Sequence, residues 1–494
     1  MFCPNCGSDI PDDAGFCTEC GFQVSDYPPT KATPSSPDEP AIPREKSQSN
    51  IPADAGTINE PPGTPLPPLG SSTRVQEHQH HPRHRNQHRH PPRSRRRRMK
   101  IASIFALVTS AAVGTFFVVV VATWGDIQGD DLFVHDSGQG PQDESWVFSA
   151  ETSDIHIEYD DSPSAPDVTI DIHYDISGPF LKDKALEDIF TVSWDNASAV
   201  KHFHLDTKSF IMPMFDRTIV QVILKEGNNF TLSVATTTGD ISCNVPGNES
   251  LAGLNMSATT GDIISTIGKN ATIHDNFRLE VTTGKIQVDI GENVTIGGNF
   301  STITTTGDIT SIFRQDSSIH GKISQVATTG DVEMNATGLN LHQQLELAAT
   351  TGKVKVFILN SSLENIISLT TTTGDVSATL SNINYRSDIH ISVDVTTGDL
   401  KIDLLQEMQM AANVTGSMTA STGDMDVTCR VNGTNIGASF VGVTSTGNID
   451  FNNLAGFQAL GNIFQSTNYG AASSTFNFSM ITTTGNIEVS GELL

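Results

Sequence analysis

Basic residues are scarce after residue 100. Residues 101–494 hold 16 Lys/Arg against 45 Asp/Glu, a balance of −29, whereas residues 1–100 hold 13 against 11, or +2; together they make the −27 of the 494-residue chain. No basic stripe is left in the large C-terminal part to displace phosphate counterions, which excludes a nucleic-acid grip there. Aromatic residues are 6% of the chain, and the last of its three Trp is Trp194. Beyond the span described below, Arg is confined to Arg217, Arg278, Arg314, Arg386 and Arg430. A polysaccharide-acting β-helix enzyme sets carboxylates beside Arg or Lys on an exposed sheet and stacks sugars on aromatic rings. Both ingredients are thin. No Ser/His/Asp set, phosphate loop or open metal site stands out, so no enzymatic activity is expected.

Cysteine is equally uneven. Four of six lie within the first 20 residues, at Cys3, Cys6, Cys17 and Cys20. Their order is C-x2-C, ten residues, C-x2-C, with Gly7 and Gly21 directly after each pair. Two CxxC knuckles supply the four soft ligands of a tetrahedral Zn²⁺, and the glycines allow the tight turns that aim backbone N–H groups at the sulfurs. A segment this short buries no core, so the metal supplies the folding energy. All four positions are Cys, which makes the site structural, with one zinc ion and no open coordination position. Paired disulfides would need an oxidising compartment, and the topology below puts this end in the cytosol. Phe2 to Phe22 resembles the short zinc ribbon at the N-terminus of many prokaryotic, especially archaeal, membrane proteins, which implies zinc and a protein partner. Residues 1–24 are assigned to this module.

Residues 25–77 are rich in Pro, Ser and Thr without apolar periodicity, and read as an extended, disordered linker. Residues 78–100 hold six His, His78, His80, His81, His84, His88 and His90, and nine basic residues from Arg83 onward. This is a polybasic collar for anionic headgroups, with metal buffering by the His tract as the alternative. Residues 101–124 then run 24 positions without a charge, enough to cross a hydrocarbon core of ~30 Å. Arg95–Arg98 and Lys100 on one flank and Asp126, Asp130 and Asp131 on the other place the N-terminus in the cytosol and the C-terminal domain outside the cell. With 100 residues ahead of it, the run is an uncleaved anchor, not a signal peptide. Residues 125–144 follow as an acidic spacer.

Twelve N-x-S/T sequons, at Asn196, Asn229, Asn248, Asn255, Asn270, Asn293, Asn299, Asn335, Asn360, Asn413, Asn432 and Asn477, all lie beyond the apolar run. Their one-sided distribution fits an outward-facing, N-glycosylated domain.

The remainder is organised by a repeat. The motif (T/S)-T-G-(D/K/N) places its glycine at Gly239, Gly261, Gly284, Gly307, Gly330, Gly352, Gly374, Gly398, Gly423, Gly447 and Gly485. Successive spacings are 22 to 25 residues, with 38 for the last. Offsets +2, +4 and +6 after glycine are apolar in 29 of 33 cases, and offsets +3 and +5 in only three of 22, at Ile264, Ile312 and Phe357. A period of two means that each glycine opens a half-buried strand. A unit of two or three short strands cannot bury its inner face alone, but stacked units can. The expected fold is mainly β: a parallel β-solenoid over 227–494, capped by degenerate strands over 145–226, beside the zinc ribbon and one transmembrane helix. Eleven coils at ~4.8 Å give a rod of roughly 50 Å. The long last gap marks an inserted loop or an imperfect coil near Gly461-Asn462-Ile463 within a C-terminal cap.

Glycine suits a corner with positive φ, and the Thr residues are expected to stack as hydroxyl ladders. The next column is Asp240, Asp262, Lys285, Asp308, Asp331, Lys353, Asp375, Asp399, Asp424, Asn448 and Asn486. Each Asp is expected to cap its own turn; the alternative is Ca²⁺ bridging adjacent carboxylates, although the glycine-dense nonapeptide of calcium-binding solenoids is absent. Cys243 and Cys429 point inward, eight coils apart, as unpaired core thiols. The recurrence, entered by VILKEGNNFTLSVATTTGDI at 222–241, resembles the putative-adhesin domain family of unknown function, found on bacterial and archaeal membrane proteins. That resemblance spans roughly 145–494 and implies a surface role with no catalytic residues. The function expected is adhesion or envelope structure, with a cell-surface or matrix ligand. The alternatives are a sensor or scaffold whose ribbon recruits a cytosolic partner and, less favoured, the polysaccharide-acting enzyme above.

Overall fold

The computed structural model describes residues 115–116, 118, 123–138, 142–179, 181–182, 184, 186–208 and 214–494. These fold as predominantly β-structure. One repeat shows why. Phe277–Thr283 forms a strand, Gly284 turns the corner, Ile286–Ile290 forms a second strand, and Asn293 turns again with φ 55°. Thr295–Ile296 is a two-residue third strand, and Phe300–Thr306 begins the next coil. Each coil lies in parallel on the last, residue over equivalent residue: Phe277 pairs Phe300, Ile286 pairs Ile309, and Thr295 pairs Ser318. Two long faces and one short face therefore enclose a core, the arrangement of a β-solenoid.

The period-two pattern is realised as alternate burial. Ile286, Val288 and Ile290 are buried, while Gln287 is exposed. The three out-of-phase apolar residues do point outward, with Ile264 at 46% and Phe357 at 39% exposure. Inside, Phe277 meets the in-register Phe300 of the next coil at 5.3 Å, and Phe300 meets Phe313 across the core of its own coil at 5.1 Å, both edge-on. Each such ring stabilises the rod by several kcal/mol, about 3–5 for a Phe truncated to Ala. Polar residues also take inward positions, Ser265 in one coil and a group in the pair that follows Gly284. Thr302, Ser311 and Gln325 are fully buried, and Gln325 Nε2 donates to Ser311 Oγ at 2.6 Å.

At the N-terminal end the repeat runs further than its motif. The strands are β1 (Gly125–His135), β2 (Asp143–Thr152), β3 (Asp154–Asp160), β4 (Val168–Gly178), β5 (Phe190–Asp195), β6 (Val200–Thr207), β7 (Met214–Lys225), β8 (Asn229–Thr238) and β9 (Ile241–Val245). β2 and β3 make a full coil against β8 and β9, with Thr152 opposite Thr238 and Ile155 opposite Ile241. Thr152-Ser153-Asp154 thus occupies the corner, with Ser153 where later coils have glycine. β6 and β7 add a further parallel rung on the outer side of this coil. Of these, β1, β4 and β5 have only antiparallel partners, β4 on β7 and β5 on β6, and form the cap proper. Residues 125–135 of the expected acidic spacer are strand β1, and much of the expected degenerate cap is regular coil.

The C-terminal end departs from chain order. The last strands, Ser474–Thr484 and Ile487–Leu493, insert between the coil of Val414–Val431 and that of Ile436–Ala455. The expected inserted loop is an antiparallel hairpin, Phe457–Leu460 with Ile463–Ser466, turning at Gly461-Asn462. It covers the outer coil through Ser439–Val441. One face thereby stacks thirteen parallel rungs, roughly 58 Å at ~4.8 Å per rung, longer than the eleven-coil expectation because the cap contributes two.

The corner glycines are required twice over. All eleven have φ between 138° and 145°, where a side chain is strained. A Cβ on any of them would also lie 1.8–2.2 Å from a backbone carbonyl oxygen of the adjacent coil. Gly307→Ala, whose Cβ would sit 1.8 Å from the Gly284 oxygen, should lose about 3 kcal/mol or more in chemical denaturation. Thr305→Ala, on the exposed side of the same corner, should change stability by less than about 0.5 kcal/mol. Equal effects would show that the corner does not set the packing.

Candidate functional site

The column after the glycines is a hydrogen-bond ladder between coils. At each corner the glycine N–H donates forward to the next coil, as Gly261 N to Thr283 O at 3.0 Å, and so does the residue after the Asp, as Ile263 N to Lys285 O at 2.8 Å. The N–H between them faces the preceding coil, where no carbonyl is in place. The carboxylate of that coil accepts it. Asp262 N donates to Asp240 Oδ1 at 2.7 Å, Lys285 N to Asp262 Oδ1 at 2.7 Å, Asp331 N to Asp308 Oδ1 at 3.1 Å and Lys353 N to Asp331 Oδ1 at 2.8 Å. The series continues through Asp375, Asp399 and Asp424 to Asn486 and Asn448. It starts one rung before the motif, since Asp240 N donates to Asp154 Oδ1 at 2.9 Å. The Asp residues therefore do not cap their own turns; each satisfies the following coil, because only there is a donor left unpaired.

The two lysines work differently. Lys285 Nζ lies 3.3 Å from Asp308 Oδ2, and Lys353 Nζ lies 3.0 Å from Asp375 Oδ2. Each relieves repulsion between stacked carboxylates by pairing forward. The expected Thr–Thr ladders take another form as well. Thr371 Oγ1 donates to Gly352 O at 3.0 Å and Thr444 Oγ1 to Gly485 O at 3.1 Å, so a threonine three places before glycine ties down the neighbouring corner carbonyl.

Among the described residues, two groups of three bring metal-ligating atoms within 4.8 Å of one another: Asp130/Asp171/His173 and His135/Glu144/Asp167. Neither contains a member of the column, whose oxygens serve backbone donors one coil apart. The first escaped the sequence reading because antiparallel pairing of β1 with β4 brings together residues some forty positions apart, and the second because it joins the end of β1, the start of β2 and the residue before β4, with no spacing to reveal either.

The sequons divide by place in the coil. Asn248, Asn270, Asn293 and Asn360 sit at the second corner with φ between 49° and 68°. The first three form an amide ladder: Asn270 Nδ2 donates to Asn248 Oδ1, and Asn293 Nδ2 to Asn270 Oδ1, each at 2.9 Å. The Ser or Thr two places on begins or adjoins the short third strand. This column of sequons is thus a consequence of the repeat. Asn299 and Asn413 hold the third corner, accepting from Lys322 N and Thr475 N at 3.0 Å. Asn229, Asn255, Asn335 and Asn432 donate to Asp143, Ser233, Glu333 and the Glu407 carbonyl. Asn477 accepts from the Tyr469 hydroxyl, and Asn196 lies in the turn after β5.

Cys243 and Cys429 are free and buried, as expected. Burial pushes the Cys243 thiol up to about 12 and raises that of Cys429 as well, which leaves both as inert core groups. The zinc ligands Cys3, Cys6, Cys17 and Cys20, the linker, the basic collar and residues 101–114, 117 and 119–122 of the apolar run lie outside the described residues. Among the described residues no helix is long and apolar enough to cross a membrane.

Residues 2–24 match the zinc-ribbon domain family. That implies zinc binding, and four cysteines at CxxC spacing are a donor set suited to it. No curated protein matches the chain. Two solved structures are similar to it. One is a putative cell adhesion protein from Clostridium sporogenes, 11% identical, with 74% of this chain and all of that chain covered at a TM-score of 0.16. The other is a putative lipid binding protein from Parabacteroides distasonis, 9% identical, covering 74% of this chain and 96% of that chain at 0.21. Likenesses this loose carry no argument about fold or function.

Asp375 gives the column a pH dependence. The Lys353 ammonium and the Asp399 backbone N–H hold its carboxyl below the usual range. The stability it contributes is therefore present above the unfolded value of about 3.9 and lost as pH falls through the lower folded value. Thermal melts of the β-signal should show the midpoint falling below about pH 4, and Asp375→Asn should flatten part of that fall. Superimposable wild-type and variant profiles would mean that the pairing contributes nothing.

Proposed function

We propose that this is a single-pass membrane protein that displays an acidic, non-enzymatic β-solenoid outside the cell for adhesion or envelope structure, with a structural zinc ribbon in the cytosol. The observation that carries this reading is the start of β1 at Gly125, directly after Trp124. A domain of stacked coils begins where the uncharged run of 24 residues ends, so the span roots the rod without a tether. Arg95–Arg98 and Lys100 before the run, against Asp126, Asp130 and Asp131 after it, orient it by the positive-inside rule. The rod's outer corners are occupied by residues that hold the coils to one another, which suits a display module better than a catalyst. N-glycans are assigned to sequons outside the amide ladder, such as Asn196 and Asn360. Asn270 and Asn293 have their Nδ2 atoms committed to the neighbouring coil.

A second reading, a sensor or scaffold whose ribbon recruits a cytosolic partner, is favoured by the zinc-ribbon match at residues 2–24. A closed four-Cys site has no chemistry of its own and leaves protein contact as its use.

Side-specific labelling tests the topology. Thr350 is exposed on the rod, and Cys243 and Cys429 are buried, so Thr350→Cys adds one accessible thiol. A membrane-impermeant maleimide should label that peptide fully on intact cells. Labelling only after lysis would place the rod inside and overturn the proposal.

A further inference from the structure

Two clusters at the N-terminal cap have ligating atoms close enough for one metal ion, and they differ in what already fills them. In the first, Glu144 is buried, and its oxygens take the Trp146 Nε1 donor at 2.8 Å, Lys201 Nζ at 3.3 Å and His135 Nε2 at 3.1 Å. Asp167 beside it accepts from Ser137 N at 2.7 Å and Asn228 Nδ2 at 3.0 Å. Its own protein closes that cluster, and a cation would have to displace Lys201.

The second cluster is open. Asp130 on β1 lies directly opposite His173 on β4, and Asp171 is two residues earlier on the same face. His173 Nδ1 is 2.5 Å from Asp130 Oδ1, and its Nε2 is 3.3 Å from Asp171 Oδ2. Among the described residues, neither carboxylate has a Lys or Arg within ion-pair distance. Asp130 and His173 border a depression of about 430 Å³ whose wall includes Gln128, Gly129 and Tyr174. The Tyr174 hydroxyl lies over Gly129, 2.4 Å from where a Cβ would stand. An imidazole facing carboxylates from both nitrogens satisfies both only as the doubly protonated imidazolium.

We propose that Asp130, Asp171 and His173 form a divalent-metal site at the N-terminal cap. One nitrogen and two carboxylate oxygens suit a borderline first-row ion such as Zn²⁺ better than Ca²⁺, which takes oxygen ligands. The ion replaces one imidazolium proton, which is released to solvent, and offsets the two carboxylate charges. Three protein ligands leave coordination positions facing the depression, so the bound ion can take a further ligand from outside. The site is distinct from the ribbon and does not depend on which side of the membrane the rod occupies.

The test is site-resolved. The purified full chain in detergent is treated with diethylpyrocarbonate, with and without zinc chloride, and modification of His173 is read on its own peptide, so the ribbon cysteines and the His78–His90 tract do not contribute. Zinc should slow the reaction of His173 at least about tenfold at an excess of ten times Kd, with chelator restoring it. The double variant Asp130→Asn, Asp171→Asn should lose that protection, while Asp175→Asn, in the same depression but outside the triad, should keep it. No protection in the wild type, or equal protection in the double variant, would overturn the assignment.

Discussion

The structure depends on one close approach. At every corner the glycine Cα passes so near the neighbouring coil's backbone carbonyl that a methyl group would lie within about 2 Å of it. This contact sets the rise from coil to coil, and the rise fixes the register. Register in turn places equivalent residues over one another, Phe277 under Phe300 and Ile286 under Ile309. The first coil shows the limit of the rule, since Ser153 takes the corner where the antiparallel cap begins. There the chain no longer has a full repeat on both sides.

In-register stacking multiplies whatever occupies a column, including charge. The Asp column would be a row of like charges one coil apart, yet each carboxylate has a backbone donor to accept. Two lysines interrupt the row with forward ion pairs. Exposed pairs of this kind contribute little individually. What the column contributes is satisfaction of one N–H that the parallel ladder leaves over in each coil that follows an Asp or Asn. An acidic rod at −29 is then a tolerable product of its corner chemistry.

The repeat was legible because its period and its glycines are both local signals. Alternation after each glycine foretold which residues are buried, down to the outward-facing Ile264 and Phe357. Three things were not legible. The rung at Thr152-Ser153-Asp154 lacks the glycine by which the motif is recognised. The insertion of Ser474–Leu493 between two earlier coils obeys the same local pattern as any other coil, so order in space leaves no mark in the chain. The metal-competent triad is made by antiparallel pairing of β1 with β4, a long-range contact with no spacing signature. The direction of the Asp bonds was missed for a related reason: a side chain that caps its own turn and one that serves the next coil look identical in sequence.

The central claim is that successive TTGD units are successive rungs of one parallel stack. Pulsed dipolar spectroscopy on the full chain, spin-labelled at Thr259→Cys and Ser421→Cys with the ribbon cysteines zinc-bound, tests it directly. The two exposed positions lie seven coils apart along the ladder that runs from Ser250–Thr260 to Val414–Thr422. At ~4.8 Å per coil the account predicts a narrow distribution centred near ~34 Å, widened by the label arms. A mean below about 20 Å, or a broad distribution without a dominant distance, would contradict the stack and everything built upon it.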